Sequence, residues 1–376
     1  MKKLLIILKS LQGGGIEKIT LRLIDALQTQ SSVEIVVVVT KPDGELFDDF
    51  ESRLPIINLD TSYEARLKAL GQLTVKLKHC FQQQKPQVIL SQLPGLNFVT
   101  LIAWKLSGVS SQVFLSEHTL PLHQLLKLEN SGKMGLIGKI NPILGGLLYP
   151  LANKVIAVSH GIAQELESSF KLRQEKLQVI YNPVVDDHLA TQAALPIEHP
   201  WFETGEPPVF LAVGRLAKQK DYPTLLNAFA KVCQTYEVRL LILGEGELRK
   251  NLETLIKNLN IENNVDMPGF VTNPYGYMAR AAALILSSIW EVLPTVLIEA
   301  LACGCAVVST DCDYGPREIL NKGEHGKLVP VGDIDALAEA MENTINHPLD
   351  CQNLRVYAQK FSVDKAIDRY KKILAL

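Results

Sequence analysis

The residues best placed to do chemistry are two glutamates with seven residues between them, Glu291 and Glu299, in Ser288-Ile-Trp-Glu-Val-Leu-Pro-Thr-Val-Leu-Ile-Glu-Ala-Leu-Ala-Cys-Gly304. Pro294 suits the first turn of a helix, where its missing N–H costs nothing, and Gly304 suits the stop. Glu291 then falls on the loop before the helix and Glu299 inside it. Such a start turns the amides of Thr295, Val296 and Leu297, with the positive end of the dipole, towards a phosphate. The acid one turn deeper can accept hydrogen bonds from a ribose diol, and the acid on the loop can hold sugar hydroxyls. Either glutamate alone reads as a solvated surface group. The Trp-Glu-x-x-Pro lead-in and the strand-like Ala306-Val-Val-Ser-Thr-Asp311 behind the helix set this pair apart.

A second constellation is Val213-Gly-Arg-Leu-Ala-Lys-Gln-Lys-Asp-Tyr222, which follows an expected strand and opens a helix. Arg215 and Lys220 put two cations at the mouth of the same sheet, suited to a diphosphate that gains charge as it leaves. Gly13-Gly14-Gly15, between the first strand and a helix from Ile16, lets the backbone approach a ligand and leaves amides pointing outward. It is no dinucleotide fingerprint: Gly-x-Gly-x-x-Gly started at Gly13 fails at Lys18, and no acid closes the next strand at Val38-Val39-Thr40. His118, in Ser116-Glu-His-Thr119, and Ser159, where a strand runs into a helix, have ordinary structural readings as a packed ring and an N-cap. Asp311-Cys-Asp313 has the spacing of a metal motif but follows the strand behind the glutamate-bearing helix, and no metal site is expected.

Strand ends must hold these groups, and short β-branched runs do alternate with helical stretches along most of the chain. Strands are expected at 4–8, 34–39, 87–90, 113–115 and 155–158, then at 209–213, 239–243, 265–267, 283–286 and 306–309. Helices are expected at 16–27, 64–83 and 161–170, then at 222–236, 248–259, 295–303 and 335–346. Continuous apolar strands alternating with helices mean parallel sheets covered on both faces. The segment 182–208, with Pro183, Pro196, Pro200, Pro207 and Pro208, breaks the pattern and reads as a linker. The expected fold is α/β, two doubly wound Rossmann-like domains facing a cleft. They span 1–181 and 209–355, with a C-terminal helix in 356–376 crossing back to the first. In such sheets ligands sit at the carboxyl ends of the strands.

At 376 residues the chain is long enough for two cores, and 47% hydrophobic with 21% charged residues excludes a disordered, collagen-like or disulfide-scaffold class. The formal net charge of −2 hides an asymmetry. Up to residue 185 there are 20 basic and 15 acidic residues, and beyond it 18 and 25. Between 65 and 164 ten Lys and Arg face two acids, Glu117 and Glu129, which points to an anionic partner for the first half. No basic–aromatic platform accompanies that charge, so nucleic acid is not an expected partner. The six cysteines form no Cys-x-x-Cys pair and read as packed, reduced thiols of a cytoplasmic protein. The apolar run after Met1-Lys-Lys is only five residues long, a buried strand rather than a signal peptide. No run reaches the roughly 20 apolar residues of a membrane span.

Taken together these features resemble the retaining family 4 glycosyltransferases of the GT-B fold, over nearly the whole chain. The likeness is carried by the Glu291–Glu299 pattern, by Gly214-Arg-Leu with Lys218-Gln-Lys-Asp221, and by Gly244-Glu-Gly-Glu-Leu248. Pro268-Gly-Phe-Val271, Gly315-Pro-Arg-Glu318 and His325-Gly-Lys-Leu-Val-Pro-Val-Gly-Asp333 also match the family's pattern. The resemblance implies transfer of a sugar, with retained anomeric configuration, from a nucleotide-diphosphate sugar (a UDP-sugar) to an acceptor hydroxyl. It implies that Gly14 and Gly15 approach the donor phosphate or the acceptor, that Arg215 and Lys220 clamp the diphosphate, that Glu299 holds the ribose and that Glu291 meets the transferred sugar. Gly244, Thr295, Val296 and Leu297 would line the donor site, Phe270 and Val271 would flank the base, and His118 would lie near the reacting sugar. No acid of the first half stands out as a nucleophile. The family is read as same-face attack, with the leaving phosphate drawing the acceptor proton. No cofactor and no metal are implied. One departure is Val292-Leu293, where many members have Gly-Phe or Gly-Leu, and it bears on the sugar pocket.

The helix expected at 64–83 places Leu67, Leu70, Leu73, Leu77 and Phe81 on one stripe, which suits packing on its own sheet as well as it suits lipid. Residues 119–152 are apolar and basic and are expected to meet anionic lipid, each Lys or Arg contributing about 1 kcal/mol near the headgroups. The expected acceptor is a lipid-linked glycan of cell-surface polysaccharide assembly, with the protein cytoplasmic and peripheral on the inner face of the cell membrane. Two other readings stay open on sequence. A GT-B-fold sugar-nucleotide epimerase would bind the same donor but need acid/base residues at the sugar and no acceptor, and a two-lobed sugar-binding module would lack catalysis.

Overall fold

The computed structural model describes residues 2–12, 15–30, 32–41, 44, 46–61, 67–119, 135–347 and 349–376. They form two compact units, Met1–Pro183 with Val363–Leu376, and Val184–Ser362.

In the first unit β1 (Lys2–Leu8), β2 (Val33–Val39), β3 (Ile56–Asn58), β4 (Val88–Ser91), β5 (Gln112–Glu117), β6 (Lys154–Ala157) and β7 (Leu177–Val179) make one sheet in the order β3-β2-β1-β4-β5-β6-β7. In the second, β8 (Val209–Val213), β9 (Arg239–Leu243), β10 (Val265–Gly269), β11 (Ala283–Leu286), β12 (Val307–Thr310) and β13 (Lys327–Val329) run in the order β10-β9-β8-β11-β12-β13. The described pairings are parallel, Leu4 lying opposite Ile35 on one side and Val88 on the other. Leu4 to Leu8 and Val36 to Val39 are buried throughout, as strands covered on both faces must be. Leu23 and Leu27 of the helix Gly15–Gln30 pack on the first sheet, and Leu225, Phe229, Leu337 and Met341 on the second. Each order reverses once, between β1 and β4 and between β8 and β11. Such reversals open a crevice at the carboxyl ends of the strands.

All ten expected strands are present, with ends moved by two residues at most. The three not expected, β3, β7 and β13, are sheet edges of three residues each, half-exposed and without an apolar run. The proline-rich stretch is not an extended linker. Asp186 caps the helix Asp187–Ala194 by accepting from the Leu189 amide at 2.8 Å, Asn273 Nδ2 donates to the Gln192 carbonyl at 2.9 Å, and His199 meets Asp266 at 3.1 Å. From Val184 on, this stretch packs into the second unit. Its prolines bracket short elements: Pro183 and Pro196 flank the helix and Pro200 opens the 3-10 turn Pro200–Phe202. The helix Cys351–Ala358 belongs to the second unit, and the helix Val363–Leu374 to the first, packed on Gly15–Gln30.

Leu73, Leu77 and Phe81 of the helix Leu67–Gln84 are buried, so that stripe packs within its own unit. All six cysteines are free thiols. Among the described residues no helix is long and apolar enough to cross a membrane.

Candidate active site

The loops leaving β8 and β11 meet across the reversal of the second sheet. The Ile289 amide donates to the Gln219 carbonyl at 2.8 Å, Gln219 Nε2 to the Trp290 carbonyl at 2.8 Å, and Ser287 Oγ to the Lys220 carbonyl at 2.7 Å. These bonds present an ion pair. Lys220 Nζ lies 2.6 Å from Glu291 Oε1, which also accepts from Ser288 Oγ at 2.7 Å. The two side chains are only 18% and 9% exposed, so salt screens the pair weakly. Its charge is felt nearby. Burial first, and the Glu291 charge second, hold the Tyr222 hydroxyl above the usual phenol range and push the Cys312 thiol up to about 12.

Two glycines let neighbouring segments close in on these loops, one after β9 and one after β12. A Cβ on Gly244 would run into the Gly214 carbonyl, and one on Gly315 would run into Pro294 and lie 2.9 Å from Leu293 Cα. Any side chain at 244 would therefore lift the loop after β9 off the loop after β8.

The helix Thr295–Cys303 starts from Pro294, which is its N-cap rather than its first helical residue, and stops at Gly304 with φ 79°. No side chain caps the start. Thr295 and Val296 carry amides that a helix leaves over at its first turn. Leu297 does not fit the expectation. Its amide donates to the Pro294 carbonyl at 3.0 Å and its side chain is fully buried, because the turn tightens onto proline. Glu299 is half-buried, and its charge adds to the burial that pushes the Cys303 thiol up to about 12. Arg215 is exposed and makes no ion pair among the described residues. Phe270, 71% exposed, and half-buried Val271 follow Gly269, whose carbonyl accepts from the Gly244 amide at 2.8 Å. Arg317 grips Asp311 with two bonds, Nε to Oδ1 at 3.0 Å being one, so that acid is engaged within its own loop. Among the described residues no three His, Cys, Asp or Glu side chains gather as a metal set.

The first unit builds a different cluster at the ends of β4 and β5. His118 Nε2 lies 3.1 Å from Gln92 Oε1 and 3.0 Å from Ser116 Oγ. The Gln92 oxygen assigns the ring proton to Nε2. Burial holds the ring pKa down at about 4 against the opposing influence of Asn182, so the imidazole is neutral near pH 7. Glu117, the residue before, is buried: its Oε1 accepts from Asn97 Nδ2 at 2.7 Å and from the Tyr149 hydroxyl. Gln92 Nε2, Asn97 Oδ1, Glu117 Oε2 and His118 Nδ1 are buried with no hydrogen-bond partner among the described residues, Asn182 stopping short of bonding geometry at the ring. Ser159 is the N-cap its position suggested, accepting from the Ile162 amide at 3.2 Å. Gly15 opens its helix, and among the described residues nothing stands within 4 Å of where its Cβ would be. Gly14 lies outside the described residues, as do 120–134 of the basic apolar stretch.

The sequence placed Lys220 and Glu291 in separate roles, and they are one pair. It passed over Glu117, Asn97, Tyr149 and Ser288. For Glu117 a signal existed: an acid ending the apolar run Val113-Phe-Leu-Ser, one of two acids in a strongly basic stretch.

Known proteins share this architecture. The family described as Glycosyl transferases group 1 matches residues 197–361, and Glycosyltransferase Family 4 matches residues 13–188. Over 372 residues the chain is 29% identical to a Campylobacter jejuni protein, covering 99% of this chain and 97% of that one. That protein is named N-acetylgalactosamine-N,N'-diacetylbacillosaminyl-diphospho-undecaprenol 4-alpha-N-acetylgalactosaminyltransferase. The chain is also 29% identical over 204 residues to the lipopolysaccharide 1,6-galactosyltransferase of Salmonella typhimurium, covering 53% of this chain and 54% of that one. Among solved structures, Anabaena HepE in complex with UDP has the same fold, with a TM-score of 0.80 over 100% of both chains at 20% identity.

Proposed function

As the chain is a GT-B glycosyltransferase, we propose that it moves a sugar, with retained anomeric configuration, from a UDP-sugar to a hydroxyl of a lipid-linked glycan in cell-surface polysaccharide assembly. The observation that carries this reading is the Lys220–Glu291 pair across the β8/β11 reversal, five residues after Arg215 and four before Thr295.

As the glycosyl bond breaks, negative charge gathers on the leaving diphosphate. In many enzymes, fixed donors aimed at developing charge supply most of the rate enhancement. Lys220 has two donors to spare after meeting Glu291, Arg215 has its full fork, and Thr295 and Val296 add backbone amides. Glu291 holds the ammonium in place and offers its second oxygen to sugar hydroxyls. Glu299 takes the ribose diol, and Phe270 with Val271 flanks the base. His118, neutral, exchanges hydrogen bonds with a sugar hydroxyl. A same-face course asks for position and charge rather than a carboxylate nucleophile, and neither a metal nor a cofactor enters it.

The UDP donor is supported by the fold neighbour solved with UDP, and the lipid-linked acceptor by the name of the Campylobacter relative. An apolar face adds to this. Ile143, Leu144 and Leu147 of the helix Gly135–Leu148 are exposed, as are Ile102 and Leu106 of the contacting helix Pro94–Ser107, beside exposed Lys105. In this basic stretch an exposed apolar face fits the anionic inner surface of a cell membrane.

Thermal shift with a panel of UDP-, GDP- and ADP-sugars identifies the donor. Transfer to a polyprenyl-diphosphate-linked glycan is then followed by NMR in EDTA. Transfer with the anomeric configuration kept is expected, and the protein should sediment with phosphatidylglycerol vesicles and leave them in salt. No transfer, an inverted product, a strict metal requirement or C2 inversion without acceptor would contradict the reading.

A further inference from the structure

Glu117 closes β5 one residue before His118 and is 1% exposed. A carboxyl so placed touches no substrate, yet two elements converge on it. Asn97, on the helix Pro94–Ser107, gives Nδ2 to Glu117 Oε1 at 2.7 Å and also reaches the Ser116 carbonyl at 3.3 Å. Tyr149, in the 3-10 turn Tyr149–Leu151, gives its hydroxyl to the same oxygen. The Tyr149 ring is itself fixed between Phe98 and Phe170, with centroids 5.2 and 4.9 Å away. If these contacts served stability alone, exchanging Glu117, Asn97 and Tyr149 together for apolar side chains of similar volume would do about as well. Oε2 has no partner among the described residues, and the groups facing the carboxyl, Asn97 and Tyr149, are uncharged. An ionised carboxylate with one bare oxygen in such a place is strongly disfavoured, so the group keeps its proton at low and moderate pH.

We propose, on the reading in which His118 meets the reacting sugar, that Glu117 is a positioning residue: its bonds to Asn97 and Tyr149 fix the end of β5 and with it the His118 ring. The clamp works in the uncharged form. Burial raises the carboxyl to about 7 against the opposing pull of the Tyr149 and Asn97 hydrogen bonds. Above that pH a charge forms inside the cluster, and the strand end must move or admit water to accommodate it.

The test is a pH–rate series on wild type, E117Q and E117A with the donor that the thermal-shift panel selects. Gln keeps the size and the hydrogen bonds of the uncharged acid and cannot ionise. Wild-type kcat should fall by about tenfold from pH 6.5 to pH 9 while E117Q stays level. E117A should lower kcat by about tenfold at pH 6.5 with donor KM unchanged, the rate being counted per UDP-binding site titrated calorimetrically so that loss of folded protein does not enter. An alkaline limb that persists in E117Q, or wild-type kcat in E117A, overturns the proposal. Should E117A fail to fold, the E117Q series still decides. A second readout needs no turnover: the ring 15N shifts of His118, assigned with H118N, should step near pH 7 in wild type and not in E117Q. A step in both proteins or in neither overturns the positioning role. A wild type inert with every donor would instead defeat the proposed function, with the histidine shifts left to decide on Glu117.

Discussion

The two units share one strand order around their reversals, yet β1/β4 and β8/β11 are furnished in opposite ways. In the second unit the strand-end groups are charged and paired, Lys220 against Glu291, with Ser288 and the stitched loops holding them. In the first the groups at and beside the strand ends are uncharged below about pH 7 and under-partnered: Gln92, Asn97, Glu117 and His118 keep buried polar atoms with no partner among the described residues. The fold therefore does not dictate the chemistry of its crevice; the residues grafted on the strand ends do. A fixed ion pair suits a ligand that is itself an anion. Neutral groups with unused hydrogen-bonding capacity suit hydroxyls, where a fixed charge would have to be desolvated.

Removing the charge from the second unit should have the largest effect. Lys220→Ala should lower kcat by about 10²–10³, the loss of a fixed cation at a developing charge, read by steady-state kinetics. It should also cost about 3 kcal/mol in urea unfolding, because Glu291 is left buried without its partner. On the neutral side, His118→Ala should lower kcat by about 10–100-fold while leaving nucleotide affinity unchanged. A parallel loss of UDP affinity would erase the contrast between the units. Glu299→Ala should weaken the donor about tenfold with little change in kcat, as for one hydrogen-bonded charge removed from a binding site.

The smallest effect sharpens the contrast from inside the first unit. His118 is held down at about 4, so its contribution to stability is present above the ordinary histidine pKa of 6.5 and is lost as pH falls towards 4. Glu117 is raised to about 7 from 4.5, so its contribution is present below 4.5 and is lost as pH rises through 7. The two slopes oppose each other between about pH 4.5 and 6.5. Urea stability in that window should therefore rise with pH more steeply in E117Q than in wild type, and should turn the other way in H118N. Identical slopes in all three proteins would contradict the neutral cluster.

Much of this was legible in the residues because the inner strands are covered on both faces and leave long apolar runs, as at Leu4–Leu8 and Leu240–Leu243. The glutamate helix was legible because Pro294 and Gly304 mark its ends. What was not legible depends on partners remote in sequence. Glu117 is buried by Tyr149, 32 positions away, and by Asn97, 20 positions away. Lys220 and Glu291 lie 71 positions apart, so spacing gave two roles where folding gives one pair. The edges β3, β7 and β13 owe their conformation to a neighbouring strand rather than to their own pattern. The prolines of 182–208 signalled a break, when they mark the ends of short packed elements. Leu297 was lost to a local effect, a first turn closed on the carbonyl of Pro294.

Diphosphate binding by Arg215, Lys220 and the start of the helix Thr295–Cys303 is tested most directly by calorimetric titration of UDP, with uridine as the phosphate-free control, at one fixed salt concentration. R215A and K220A should each weaken UDP by about tenfold or more and leave uridine unaffected, while K250A, at an exposed position, should match wild type. Equal UDP affinity in all four proteins, or an equal loss for UDP and uridine, would contradict the account.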